Sequence, residues 1–228
     1  MARIRRVAAT PTPTAASRPT RRRRDPETAR TELMDAAERV FAKDHPDAVG
    51  LKHVAREAGV SHALITHYFG TYAGLIEATL ERRLRALRVR VLARLGDARV
   101  LGRPDELLAL LFDALEDPVH LRLMRWMVGG ERQASAHVFS LQDRGLQVVA
   151  GQVAMAICPP VPPPELVERI ELALVTAVSA AYGYAMTKRP LAGSIGRRPS
   201  RELDVAVQRT LGAMLQAYLH SEMLALSA

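Results

Sequence analysis

A single cysteine, Cys158, stands in 228 residues. One thiol excludes an intrachain disulfide and suits a reducing compartment, and a free cysteine is most often a small buried side chain. Aromatic residues make up only 4% of the chain. No stretch alternates apolar with polar residues for the length of a strand, so a sheet finds no support. Uncharged runs fall short of a membrane span as well. Gly145 to Pro164 ends in a cluster of prolines, and Leu172 to Thr187 is rich in Ala, Ser and Thr and shorter than the ~20 residues a span needs. Nucleophile elbows, phosphate-cradling glycine loops and metal-protease motifs are all missing. His62 and His67 are five apart, off the three-or-four spacing that puts two ligands on one helix face. An enzyme, a metal site and a bound cofactor therefore have no candidate residues.

What is abundant is Ala, Leu and Arg, which favours helix. The charge is unevenly placed. The net charge is +8, with 32 basic and 24 acidic residues. Residues 1–24 hold eight of the arginines and no acid, so the remaining 24 basic residues balance the 24 acids. Prolines at 11, 13 and 19 and the lack of apolar periodicity make residues 1–24 a disordered basic arm. Its cluster Arg21, Arg22, Arg23 and Arg24 abuts the first helix and is expected to track phosphates or enter a minor groove.

The stretch from Leu51 to Ile76 organises the rest. It reads as a short helix to Ala58, a corner at Gly59-Val60, and a second helix from His62 to Tyr68. Gly59 sits where a helix ends in the left-handed conformation, and Ser61 is placed to cap the next helix. This is a helix-turn-helix, whose second helix lies in the DNA major groove. Its outward residues should be His62, Ala63, Thr66 and His67, with Ile65 and Phe69 buried. Thr66 and Ala63 suit a thymine methyl, and the two imidazoles suit base acceptors or phosphate. Ser61, Tyr68, Thr71 and Tyr72 supply hydroxyls for phosphate oxygens. From Asp25 to Thr71 acids outnumber bases, so net charge alone does not hold DNA there.

The string Ala55-x-x-Ala58-Gly59-Val60-Ser61, followed by Ile65, His67, Tyr68, Phe69, Thr71 and Leu75, resembles the N-terminal domain of TetR/AcrR-type transcriptional regulators. Three positions depart from that pattern: Thr66 replaces a usual Tyr, Tyr72 a usual Lys, and Gly50 a usual Ser or Thr cap. The resemblance implies an all-α fold with a three-helix DNA-binding head (residues 25–71) and a larger helical body (72–228), about nine helices in all. It further implies a cytoplasmic, ligand-responsive homodimer on a palindromic operator, most often a repressor. The other reading is an architectural or weakly specific DNA-binding dimer with no effector.

Along the body, prolines at 104, 118 and 164 open helices, Gly129-Gly130 closes one, and a helix from Glu131 to Ile157 precedes a proline-rich connection. Lys188 to Pro199 reads as a loop between the last two helices. In that second long helix of the body Ala173, Ala177, Ala181 and Tyr184 form a small-residue face. Leu211, Met214, Leu215 and Tyr218 stripe the final one. Proteins that resemble this chain pair these two helices with their symmetry mates, which makes both stripes the expected dimer interface. An effector pocket is likewise implied, with Phe112, Met124, Trp126 and Met127 as candidate lining. His137, Phe139 and Tyr182 complete it, His137 or Tyr182 serving as polar handle for a small, largely apolar effector. Arginines 82, 83, 85, 88 and 90 on the fourth helix read as a solvated face.

Overall fold

The computed structural model describes residues 25–96, 104–129 and 144–227, with side chains to 222. The arginine arm, including Arg21 to Arg24, and the pocket candidates His137 and Phe139 lie outside the described residues. Among those described, the fold is all-α, as expected. Its helices are α1 (Pro26–Lys43), α2 (Leu51–Ala58), α3 (His62–Phe69), α4 (Tyr72–Leu95), α5 (Pro104–Glu116), α6 (Pro118–Val128), α7 (Gly145–Ile157), α8 (Pro164–Ser194) and α9 (Arg201–Ser227). A 3-10 turn at Pro46–Ala48 links α1 to α2.

Local chemistry sets most boundaries. Asp25 accepts from the Thr28 amide and Pro26 opens α1, a cap-then-proline start. Asp117 does the same for α6, accepting from the amides of Val119 and His120. At the start of α2, Gly50 offers no side chain. The ring Nδ1 of His53 accepts from the Gly50 amide at 3.1 Å instead, taking the place that Glu or Gln holds in a capping box.

Two expectations about the body are corrected. The segment after Thr187 is helix, not loop: α8 bends at Thr187 (φ −117°, ψ 15°) and continues through Pro190 to Ser194. Pro190 has no amide to give the Met186 carbonyl, and the Arg125 guanidinium from α6 reaches that carbonyl at 3.4 Å. A kink with a substitute donor costs less than an end. In the second correction, Arg82 and Arg83 are not a solvated face. Arg82 bonds Asp35 at 2.7 Å and Glu38 at 2.6 Å on α1. Arg83 bonds Glu38 at 2.7 Å, and its other terminal nitrogen bonds Asp117 at the head of α6. Its buried Nε has no partner.

These contacts bind head to body. One core cluster runs from Leu33, Phe41, Val54 and Ile65 in the head, through Leu75 and Leu80 of α4, to Leu123, Trp126 and Met127 of α6. The core does not divide at residue 71. Helix α6 also grips α1 directly, since Arg122 donates to the Phe41 and Ala42 carbonyls at 2.6 and 2.9 Å. That satisfies two of the acceptors a helix C-terminus leaves open. Helices α5, α7, α8 and α9 pack on the far half of α4 and hold two smaller clusters, around Val149 and Ile170 and around Leu111 and Ala181.

Candidate functional site

The reading helix is built by its corner. Gly59 has φ +65° and ends α2 with its amide bonded to the Ala55 and Arg56 carbonyls. Ser61 accepts from the Leu64 amide at 3.3 Å and starts α3. Ile65, with no exposed surface, pins the helix to the core. His62, Ala63, Thr66 and His67 then stand in solvent, as the helical spacing predicted, and Leu64 is half-buried. Phe69 differs from expectation. It is half-buried, its ring covered on one side by the Arg30 guanidinium at 5.3 Å, a cation–π contact.

The hydroxyls around α3 are not equally available. Thr66 donates to the His62 carbonyl at 3.2 Å, which leaves its methyl and its lone pairs to a partner. Thr71 caps α4 by accepting from the Gly74 amide at 3.0 Å, so its proton remains to be given. Tyr68 is half-buried between His67 and Phe69. Tyr72 is a correction. Its hydroxyl donates inward to the Pro46 carbonyl at 2.8 Å, and its ring packs on Phe41 and edge-on to Trp126. Burial, then the Asp47 charge, raises its pKa, so it remains a phenol whose one proton is committed. Beside α3, Arg39 pairs with Glu57 at 2.7 Å, while Lys52 and Arg56 are exposed on α2.

With this geometry in place, comparison is informative. Residues 33–79 match the family model of bacterial regulatory proteins, tetR family. The chain belongs to the TetR family through this domain. The domain is similar to that of an uncharacterised HTH-type transcriptional regulator of Mycobacterium tuberculosis, 32% identical over 71 residues (31% of this chain, 35% of that protein). It is also similar to the HTH-type transcriptional regulator BetI of Cronobacter sakazakii, 34% identical over 100 residues (43% of this chain, 50% of that protein). The chain thus spans a third to a half of the length of these curated relatives. Similarity of fold extends further. A putative transcriptional regulator from Pseudomonas aeruginosa PAO1 superposes with a TM-score of 0.60 at 17% identity, covering 88% of this chain and 96% of that one. A FadR regulator from Bacillus subtilis in complex with stearoyl-CoA gives 0.58 at 11% identity, covering 82% and 98%.

The body of this TetR-family chain holds a cavity of about 630 Å³ between α4, α5, α7, α8 and α9. Of the expected lining, Tyr182 alone is there among the described candidates. Phe112 is buried in the cluster between α5 and α8. Met124, Trp126 and Met127 are buried in the head–body core. Those side chains follow helical spacing for packing, and the true walls are aliphatic: Leu84, Leu87, Leu108, Leu111 and Leu174. Tyr182 also touches the relay to the head. Its hydroxyl lies 2.6 Å from Nε2 of His120, whose neighbour Asp117 binds Arg83. Burial, then the Arg83 charge, lowers the His120 pKa to about 4.

The expected dimer stripe also needs correcting. Ala173, Ala177 and Ala181 are buried within the chain at 8%, 2% and 0% exposure, two of them as cavity wall. Tyr184 donates to Asp204 at 2.8 Å, and Leu211 and Leu215 pack on the α5 cluster. Met214, 64% exposed, and Tyr218, 36% exposed, do face out. The small residues of α8 instead meet α5 and the cavity. Its uncovered side is the next stripe, Leu172, Thr176, Ser179, Ala180 and Gly183, all exposed.

Among the described residues no three His, Cys, Asp or Glu side chains gather as a metal set. Helix α8 is long and apolar enough to cross a membrane by length and composition; here it packs on α5, α6, α7 and α9.

Proposed function

We propose that this chain is a dimeric, sequence-specific DNA-binding transcriptional regulator of the cytoplasm whose helical body takes a small, largely apolar effector. The observation that carries the reading is the aim of α3. A left-handed glycine corner and the fully buried Ile65 turn His62, Ala63, Thr66 and His67 outward together, at the N-terminal half of a helix where this motif reads base edges. Ser61, Thr71 and the exposed cations Lys52 and Arg56 flank them as phosphate contacts.

A two-fold assembly follows from the need to read both halves of a palindrome. Its surface is the uncharged outer stripe of α8 from Leu172 to Gly183, joined by Thr210, Ala213, Met214 and Ala217 of α9, all exposed. The effector belongs in the body cavity, and repression is relieved when it binds the non-operator arrangement of the heads more tightly. A hundredfold loss of operator affinity requires about 2.7 kcal/mol of such preference.

The test is recovery of protein-bound DNA from random oligonucleotides. Palindromes with half-sites about one helical turn apart are expected, and His62→Ala with His67→Ala should relax the preference. The weakly specific reading draws on the eight arginines of residues 1–24. Removing that arm should weaken binding and flatten its salt dependence while the preferred sequence stays the same. A truncated chain with no preferred palindrome refutes the regulator reading in favour of a non-specific one.

A further inference from the structure

The cavity of the body is long. Helix α4 contributes wall residues from Glu81 to Val91 and α8 from Ile170 to Tyr182. At the rise of an α-helix those spans run for roughly 15–18 Å. Along them the walls are aliphatic, and polar side chains are few.

Three arginines line the cavity, Arg85, Arg88 and Arg144, against two acids, Glu81 and Glu171. Arg85 and Glu81 pair at 2.8 Å, which leaves Arg88 and Arg144 facing Glu171 alone. The Tyr182 hydroxyl is engaged with His120. Arg88 sits where only glycine permits it. Its Nη1 lies 2.9 Å from the place a Cβ on Gly145 would occupy, so the guanidinium packs against bare backbone at the first residue of α7. Arg144 is the neighbouring residue and donates to Gln147 at 3.3 Å. Two guanidinium groups thus converge on one wall of an otherwise hydrocarbon space. Guanidinium is the side chain best shaped to grip a carboxylate, through paired charge-assisted hydrogen bonds.

We propose that the cavity takes an elongated aliphatic molecule ending in a carboxylate, with the carboxylate on Arg88 and Arg144 and the chain along α4 and α8. A positively charged amphiphile is rejected by the same wall, and an uncharged one of equal length gains only the apolar contacts. The proposal rests on the regulator reading solely in calling this molecule an effector.

The experiment uses the full chain without DNA and three probes of one chain length: dodecanoate, dodecanol and dodecyltrimethylammonium, each below its micelle concentration. Binding is followed by thermal shift and by emission of Trp126, the one tryptophan of the chain. Trp126 is buried at the head–body junction and is not a cavity wall, so its response reports transmission rather than contact. Dodecanoate should bind about tenfold tighter than dodecanol, the usual worth of a hydrogen bond to a charged group, and the ammonium should not compete. Arg88→Gln should bring acid and alcohol to equal affinity, whereas Arg90→Gln, on the exposed side of α4, should leave the preference intact. Should Arg88→Gln fail to fold, Gly145→Ala makes the same test by displacing the guanidinium. Equal affinity for dodecanoate and dodecanol in the wild type overturns the proposal, as does a preference that survives both variants, or no binding of any probe. A protein that selects a palindrome yet ignores dodecanoate loses only this ligand class. One that prefers dodecanoate but selects no palindrome loses the regulator reading.

Discussion

Removing one oxygen tests how the head is joined to the body. In Tyr72→Phe the ring keeps its place, 6.2 Å from Phe41 and 5.9 Å from Trp126, so the apolar packing is retained. What goes is the hydroxyl that donates to the Pro46 carbonyl at 2.8 Å. Pro46 is buried, and its carbonyl is left with one partner fewer. An orphaned, partly buried acceptor costs about 1–2 kcal/mol. For a chain of this size each kcal/mol moves the melting temperature by roughly 2–4 °C, so calorimetry should show a fall of about 2–6 °C. Operator affinity and its salt dependence, measured by fluorescence anisotropy on the selected palindrome, should stay within about twofold, because nothing facing DNA has changed. The opposite pattern refutes the reasoning. An unchanged melting temperature with a five- to tenfold loss of operator affinity would mean that Tyr72 turns outward to phosphate and that the inward bond contributes little.

Three further variants follow from the same structure. Gly59→Ala should lower stability by about 1–2 kcal/mol in urea denaturation. No atom lies within 4 Å of the added methyl, so the whole cost is the left-handed backbone at φ +65°. His120 has a folded pKa of about 4, below the ~6.5 of an unfolded chain. The unfolded state therefore binds the extra proton between these values, and stability falls as pH drops from 6.5 towards 4. The loss should reach on the order of 1–2 kcal/mol by pH 5, and His120→Gln should remove that part of the pH dependence; an identical acid profile in both proteins would contradict it. Ser179→Arg places a charge on the exposed stripe of α8. Sedimentation should then find single chains with unaltered thermal stability, and a dimer that persists would show that the interface lies elsewhere.

The helix-turn-helix and the all-helical architecture were legible in the residues because their signals are local. Asp25 and Pro26, Ser61 and Ser200, and the glycine after Ala58 each act through atoms only a few positions away, so their identity determines the geometry. The outward set His62, Ala63, Thr66 and His67 followed from helical spacing once the buried Ile65 was recognised. Periodicity shows that a stripe exists, but it does not name the partner of that stripe. The alanines at 173, 177 and 181 promised a close approach; tertiary packing decided that it is made by α5 and a cavity inside the same chain. Tyr72 and the Met-Trp run of α6 looked like ligand or phosphate contacts, and folding committed them to the joint between head and body. Arg82 and Arg83 read as a solvated surface because their partners Asp35, Glu38 and Asp117 are more than thirty positions away in sequence. Contacts so far apart along the chain come into being only when the helices cross, and those crossings place Arg83 and Tyr182 between the cavity and the reading helix.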